Sequence, residues 1–254
     1  MEWAAYASVT VAVALMLGAA VFFLVRFARS PEGKGFLGEM AVRSVIRGRK
    51  AGKRYVINDI VIENNGATSQ IDHIVINKNG VFVIETKNYS GKIYGSDDGS
   101  VWTAVSARKV SFYSPVKQAE AHALRLRSAL GQDGEKLYTV PIAVFAGGDV
   151  SAVRSKSCLP IGALRYKLML PHRLPVYTDE QMKELYRKIK ALAAPAEVRK
   201  RHISSARYKK ELVAHNICPR CGRVLVLRSG ENGEFYGCQG YPECDFTKGY
   251  VSEK

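Results

Sequence analysis

Acidic residues are scarce in this chain of 254 residues: 23 Asp and Glu stand against 38 Lys and Arg, a net charge of +15. The surplus is spread along the chain and not gathered in one tail. It favours phosphate-rich partners, either nucleic acid or anionic lipid. Cysteine is sparse too. Of five, four fall between Cys218 and Cys244, and only Cys158 stands elsewhere. No disulfide framework therefore runs through the fold, and the clustered thiols argue for metal and a reducing compartment. Charge is missing altogether from Trp3 to Val25. As a helix that run measures about 34 Å, against roughly 30 Å of bilayer hydrocarbon. Only Met1-Glu2 precedes it, so the basic n-region of a cleaved signal peptide is absent. Trp3 and Tyr6 near one end and Phe22, Phe23 and Phe27 near the other suit the two interfaces. Arg26, Arg29 and Lys34 follow. The positive-inside rule then gives a single-pass anchor over residues 1–29, N-terminus outside, with the soluble domains cytoplasmic.

What the chain does contain divides into three further parts. Residues 30–195 read as one α/β domain, 196–214 as a basic linker and 215–254 as a small metal module. Ser30 to Gly35 is a linker by composition. Gly38-Glu39 opens a helical run through Met40, Val42, Val45 and Ile46, which places Glu39 in the first turn, where a carboxylate suits the helix dipole. Lys53 to Glu63 reads as a strand, and Gly91 to Tyr94 as a short separate one. Pro115 to Leu130 is a helix with Gln118 in its first turn and His122 one turn later. Leu137 to Ala146 is a buried strand. The span 150–178 is mostly unassigned, with Leu174–Tyr177 as a short edge strand. Asp179 to Ala193 is an amphipathic helix capped by Thr178 or Asp179. Arg199 to Lys210 has six basic residues and no acid, and reads as helical.

The chemistry centres on Ser69 to Gly91, two apolar runs around Asn79-Gly80. Asn-Gly favours a two-residue hairpin turn, which would set Asp72 opposite Lys87. A turn at Lys78-Asn79 would set Asp72 opposite Glu85 instead. Either register leaves Asp72, Glu85 and Lys87 on one face, because residues two apart share a face and so do opposed residues. Two adjacent carboxylates repel, and a hard divalent cation such as Mg²⁺ relieves that repulsion. The neighbouring ammonium would orient water or neutralise charge in a transition state. The competing reading is a half-buried hairpin with an ordinary ion-paired end.

The C-terminal signal is sharper. Cys218-Pro219-Arg220-Cys221 and, after sixteen intervening residues, Cys238 and Cys244 form C-x2-C and C-x5-C knuckles. Four thiolates make a closed tetrahedral shell for structural Zn²⁺ with no open position for catalysis. So short a segment cannot fold on an apolar core alone, so the metal would supply most of its folding free energy. Phe235, Tyr236, Tyr241, Phe246 and Tyr250 alternate with Arg220, Arg223, Arg228 and Lys248. Some of these rings must fill the small core, while others are free to stack on bases of a single strand.

Two family resemblances rest on these residues. Gly38-Glu39, Asn58-Asp59, Gln70-Ile71-Asp72-His73, the run from Gly80 to Tyr89, Gly91, Trp102, and Pro115 with Gln118 resemble the nuclease-related (NERD) domain of the PD-(D/E)xK nuclease superfamily. Cys-Pro-x-Cys-Gly and Gly-Cys-x-Gly-Tyr-Pro-x-Cys look like the four-cysteine zinc ribbon of type IA topoisomerases. The first resemblance implies a restriction-endonuclease-like mixed sheet flanked by helices and metal-dependent phosphodiester hydrolysis. It makes Asp72 and Glu85 ligands of Mg²⁺ or Mn²⁺, with the Thr86 carbonyl beside them and Lys87 acting on water. It also brings in Glu39 from the first helix and Gln118 from a later one. His73 falls on the opposite face and reads as structural. The second resemblance implies nucleic-acid binding without topoisomerase chemistry, for which no tyrosine-bearing gate is present. The expectation is a membrane-anchored nuclease acting on nucleic acid, DNA ahead of RNA. The alternatives are a non-catalytic tethered nucleic-acid-binding protein, or a scaffold between lipid and protein partners.

Overall fold

The computed structural model describes residues 2–47, 53–64, 66–170, 175–230 and 233–249, with the side chains of 2–14 and 233 outside that description. Its body is a seven-stranded mixed sheet flanked by helices. Strands β1 (Arg54–Asn64), β2 (Ala67–Asn77), β3 (Gly80–Ser96), β4 (Val101–Val105) and β5 (Lys109–Tyr113) follow one another antiparallel. β6 (Thr139–Arg154) returns parallel to β3, and β7 (Cys158–Pro160) lies parallel to β6. β3 is the centre of this arrangement. β6 runs beside it from Val81 to Ser96. The other edge is shared, with β2 pairing to Gly80–Ile84 and β4 to Lys92–Tyr94. Between Glu85 and Gly91 that edge has neither partner in register, and a gap opens in the ladder.

Helices close both faces. Helices α1 (Glu2–Arg29) and α2 (Pro31–Arg47) come first, then α3 (Pro115–Ala129), the single turn α4 (Gln132–Glu135), α5 (Ile161–Met169) and α6 (Asp179–Ala191). On one face Ile60, Ile62, Ile74, Ile76, Val81 and Val83 pack against Ala123 and Leu126 of α3 and Met182 and Ile189 of α6. On the other, Val75, Phe82, Ile84 and Val144 pack against Val42 and Ile46 of α2 and Leu164 and Leu168 of α5. Each of these fully buried aliphatic side chains contributes about 1.5–3 kcal/mol of apolar transfer. The strict alternation of Val81, Val83 against Phe82, Ile84 is what splits β3 between the two cores. Under the far half of β3, Trp102 stacks on Phe145 at 6.2 Å.

Helix α7 (Ala196–Ala214) carries the basic stretch, helical as its composition suggests. A second sheet follows, β10 (Thr247–Gly249), β9 (Gly233–Cys238) and β8 (Leu225–Gly230) in that order, around the cysteine cluster.

The structure corrects several expectations. The segment from Ser30 to Gly35 is not a linker, because α2 begins at Pro31. Proline is pre-set for a first helical position, and the Ser30 hydroxyl accepts from the Gly33 N–H at 3.0 Å as an N-cap does. Glu39 consequently lies in mid-helix and has no dipole-capping role. The stretch Gly91–Tyr94 is not a separate strand but the bent second half of β3, which passes Gly91 at φ 83°. A side chain at that position would meet the Val105 carbonyl oxygen at 2.0 Å. The span left open contains the end of β6, β7 and α5. No strand forms at 175–177, where Val176 and Tyr177 donate from their backbone to Lys78 O; Leu174 lies outside the described residues.

The hairpin turns at Lys78-Asn79, with Asn77 paired to Gly80. Asn77 Oδ1 accepts from Asn79 N at 2.8 Å, and both Asn77 and Asn79 amides donate to Leu168 O. Neither turn residue has a positive φ. Side-chain bonds to the turn and to α5, which sequence alone did not reveal, thus override the Asn-Gly preference. The uncharged run lies in α1, whose side chains before Leu15 fall outside the described residues. Among the described residues no helix is long and apolar enough to cross a membrane.

Candidate active site and metal centre

The register with Asn77 opposite Gly80 and His73 opposite Ile84 carries Asp72 toward Glu85 at the mouth of the gap beside β3. There the Thr86 N–H, free of any strand partner on that edge, donates to Asp72 Oδ2 at 2.9 Å. The N–H and C=O of an extended residue point to the same edge, so the Thr86 carbonyl faces the gap as well. Lys87 Nζ donates to Glu85 Oε1 at 2.5 Å. Asp72, Glu85, Thr86 and Lys87 thus come together at one point of the sheet.

Their charges are strongly coupled. Burial and the negative Glu85 push the Asp72 carboxyl up to about 8, against the opposing pull of the Thr86 N–H. Burial also disfavours ionised Glu85, but Lys87 and His122 outweigh it and hold that carboxyl below its ordinary value. Burial would deprotonate Lys87, yet the paired Glu85 keeps its affinity for the proton above normal. Without a cation the cluster therefore holds two carboxyl groups and one ammonium, with one acid resisting ionisation. A divalent cation seated on Asp72 and Glu85 removes that resistance, so the donor set fits Mg²⁺ or Mn²⁺.

Glu39 approaches from α2. Its neighbour Gly38 makes this possible, since a Cβ there would lie 2.8 Å from Asn88 Cβ of β3. Asn88 Nδ2 donates to Lys34 O at 2.7 Å and fastens the contact. Partial burial raises the Glu39 carboxyl, Arg43 opposes the rise, and the charges of Asp59 and Glu85 add to it. Glu39 is thus in electrostatic reach of the site, and its recorded ion pair is to Arg43 at 3.6 Å. Gln118, in α3, makes no side-chain hydrogen bond among the described residues. His73 is fully buried, with Nδ1 2.8 Å from Asn58 Oδ1.

Two groups at the site escaped the sequence reading. His122 Nε2 stands 3.4 Å from Glu85 Oε2, and its Nδ1 lies 2.8 Å from Ser69 Oγ. Its spacing of four from Gln118 on one helix face was the available signal. Asp59 lies across from Asp72, where the β1–β2 ladder skips one pair. It adopts φ 52° and accepts from Gln70 Nε2 at 2.6 Å and from Arg199 of α7. Nothing in local spacing joins Asp59 to a residue 140 positions on.

The second cluster is compact. Ligand atoms of Cys218, Cys221, Cys238 and Cys244 all lie within 4.8 Å of one another. Sγ–Sγ separations of 3.6 Å for Cys218–Cys244 and 3.3 Å for Cys221–Cys238 exceed a disulfide bond. They approach the roughly 3.8 Å edge of a zinc–thiolate tetrahedron. Gly222, at φ 75°, turns the first knuckle, and Gly240 N donates to Cys238 Sγ at 3.3 Å. Tyr236 and Phe246 pack on the cysteines as core. Tyr241 is 63% exposed with Arg228 5.6 Å from its ring. Tyr250 lies outside the described residues.

Residues 34–146 match the family model of the nuclease-related domain. The chain carries a nuclease-related domain. Residues 215–252, after this nuclease-related domain, match the topoisomerase DNA binding C4 zinc finger, which with the clustered thiols supports a structural Zn²⁺. An uncharacterized protein of Bacillus anthracis is 42% identical over 94 residues, 36% of this chain and 44% of that protein. A DNA topoisomerase 1 of Methanocaldococcus jannaschii is 53% identical over 32 residues, 13% of this chain and 4% of that enzyme. The uncharacterized protein YrdD of Escherichia coli is 55% identical over 31 residues, 12% of this chain and 17% of its own length. The chain thus spans less than half the length of each of these relatives. No solved structure matches it.

Proposed function

We propose that the chain is a metal-dependent nuclease of the restriction-endonuclease-like kind, held at a membrane by α1. It hydrolyses phosphodiester bonds of nucleic acid, DNA ahead of RNA, which its zinc ribbon grips. The observation that carries this reading is the meeting of Asp72, Glu85 and Lys87 around the Thr86 backbone, which has no strand partner on the gap side of β3. Asp72 and Glu85, with the Thr86 carbonyl, would hold Mg²⁺ or Mn²⁺. Such an ion, when bound, would supply Lewis-acid stabilisation of the phosphate oxygens and acidify a water.

The side chains do the rest. Lys87 Nζ, once Glu85 Oε1 is engaged elsewhere, is released to orient the attacking water and to neutralise charge building on the phosphate. Loss of its carboxylate partner also removes what holds its proton affinity high. Glu39 adds negative charge on the α2 side. Exposed Tyr241 beside Arg228 offers a base-stacking platform with a cation next to it. Leu15, Met16, Leu17, Val21, Phe22, Phe23 and Leu24 of α1 are each 58–69% exposed. Such a surface, followed by Arg26 and Arg29, is what a bilayer-embedded helix presents.

The alternative, a tethered nucleic-acid-binding protein without catalysis, draws on the closed Lys87–Glu85 pair, which fills the cation's seat. One experiment separates the two. Zinc-loaded full-length protein in detergent is incubated with Mg²⁺ or Mn²⁺ and single- or double-stranded DNA or RNA. Cleavage lost in both Asp72→Ala and Lys87→Ala supports the nuclease. Binding without cleavage, unchanged by either substitution, leaves the non-catalytic reading standing.

A further inference from the structure

Glu85 has both carboxylate oxygens occupied, and by different kinds of partner. Lys87 Nζ takes Oε1 at 2.5 Å, while His122 Nε2 faces Oε2 at 3.4 Å, the long end of hydrogen-bond reach. All of this is enclosed, with Glu85 4% exposed, His122 8% and Ser69 3%. An ionised carboxylate can only accept, so the contact with Glu85 favours a ring proton on His122 Nε2. Arg125 NH1 donates to Ser69 Oγ at 3.5 Å, and a guanidinium can only donate. The Ser69 oxygen is therefore an acceptor toward Arg125, and its hydroxyl hydrogen is free to point at His122 Nδ1, 2.8 Å away. Nδ1 can then accept that hydrogen, in keeping with a ring proton on Nε2 facing Glu85.

The two contacts differ in permanence. Lys87 is a flexible chain on the same strand as Glu85 and can swing away. His122 is fixed in α3, whose Ala119, Ala123 and Leu126 are buried on either side of it. On Asp72 the same division holds, because Oδ2 is already held by the Thr86 backbone. One oxygen of each acid is thus tied to the scaffold, and the other opens to the gap once Lys87 moves.

We infer that His122 is a positioning residue that limits Glu85 to one-oxygen ligation and so favours Mg²⁺ and Mn²⁺ over Ca²⁺. Small octahedral cations accept single oxygens from each carboxylate, whereas Ca²⁺ gains from two-oxygen carboxylates and higher coordination number. Ser69 acts one step behind, by favouring the ring proton on Nε2. This inference rests on the metal-dependent reading above and adds to it a residue and a selectivity that the reading alone does not require.

The test is cation binding by zinc-loaded full-length protein, measured by calorimetry and by the electron paramagnetic signal of free Mn²⁺, with Ca²⁺ as competitor. His122→Ala is expected to weaken Mn²⁺ binding by about 10–100-fold, the usual cost of losing an outer partner of a ligand. Ca²⁺ binding should fall less or rise, so that the ratio of Mn²⁺ to Ca²⁺ affinity drops. His122→Gln, which keeps an amide N–H near the position of Nε2, should recover most of that ratio. A purely structural role would not be rescued in this way. Ser69→Ala, which leaves the ring in place, should shift the ratio in the same direction by a smaller factor. Wild-type protein that binds Mn²⁺ while His122→Ala and Ser69→Ala keep its affinity and ratio within twofold overturns the role of His122 alone. Wild-type protein that binds no more Mn²⁺ than Asp72→Ala overturns the metal-dependent reading and this inference with it.

Discussion

Arg199 donates from NH1 to the Asp59 carbonyl oxygen at 3.0 Å and from NH2 to Asp59 Oδ2, tying the start of α7 to the strand beside Asp72. Asp59 needs this hold. Its φ of 52° is one that a non-glycine residue adopts at a cost. The pair is partly exposed, 41% and 30% at the two side chains, so its stabilising effect is modest. Arg199→Ala is expected to lower unfolding free energy by about 1–2 kcal/mol, read as a shift of the urea midpoint at constant slope. Arg199→Lys should recover less than half, because one ammonium cannot serve both oxygens in the guanidinium's fork geometry. An unchanged midpoint in Arg199→Ala would show that the Asp59 turn holds its shape unaided.

How far such features could be read in advance depended on their range. The Asp72, Glu85 and Lys87 face follows from strand periodicity in either hairpin register, and the structure brings those three together. The turn itself did not follow, because Asn77, Asn79 and Leu168 settle it across 89 and 91 residues. The start of α2 was legible in Ser30-Pro31, but the flanking glycines suggested a linker. Gly33 and Gly38 serve packing instead; a Cβ at Gly33 would meet Phe27 O at 1.9 Å. The cysteine knuckles were plain because their chemistry is local. His122 and Asp59 were not, because their partners arrive from other strands and helices.

His73 sets an acid limit on stability. Burial lowers its imidazole from 6.5 to about 4, with Arg43 adding to the effect. Below pH 6.5 the unfolded chain takes up a proton that the folded chain refuses, so stability falls as pH drops from 6.5 to 4 and levels off below. The loss attributable to this residue is about 3 kcal/mol across that window. Urea unfolding of wild type and His73→Gln at half-unit steps should give curves that diverge in that window, the wild type falling more steeply. Parallel curves would mean that His73 is protonated inside the fold.

Metal removal should act on one end of the molecule only. The cysteine cluster has its own small core of Leu225, Tyr236 and Phe246, separate from the three clusters of the large sheet. Zinc-binding free energy of about 10–16 kcal/mol is the scale on which such modules fold. Chelation, or Cys218→Ser, is expected to expose backbone amides of 215–249 to hydrogen exchange within seconds while the protection of β2, β3 and β6 persists. Affinity for single-stranded nucleic acid should fall together with the ribbon. Loss of protection in β3 on chelation would show that the two parts fold as one.

The last prediction sets stability against chemistry at Asp72. Its carboxyl is raised from 3.8 to about 8 by burial and by Glu85. A carboxyl whose folded value lies above its unfolded one loses stability as pH rises through that interval, because ionising it in place costs more than ionising it in the open chain. Asp72→Asn keeps the shape and removes the charge. In divalent-free buffer with zinc retained, the variant should match wild type near pH 4 and exceed it by about 1–3 kcal/mol at pH 9. Adding Mn²⁺ should raise the wild-type urea midpoint at pH 9 and leave the variant's unchanged, since only an ionised Asp72 completes the seat. The variant should also lose cleavage by at least about 100-fold, as removal of a group that stabilises transition-state charge does. A variant less stable than wild type at pH 9 without cation would contradict the geometry, since Asp72 would then be a net stabilising partner of Lys87 and not a carboxylate held against its preference.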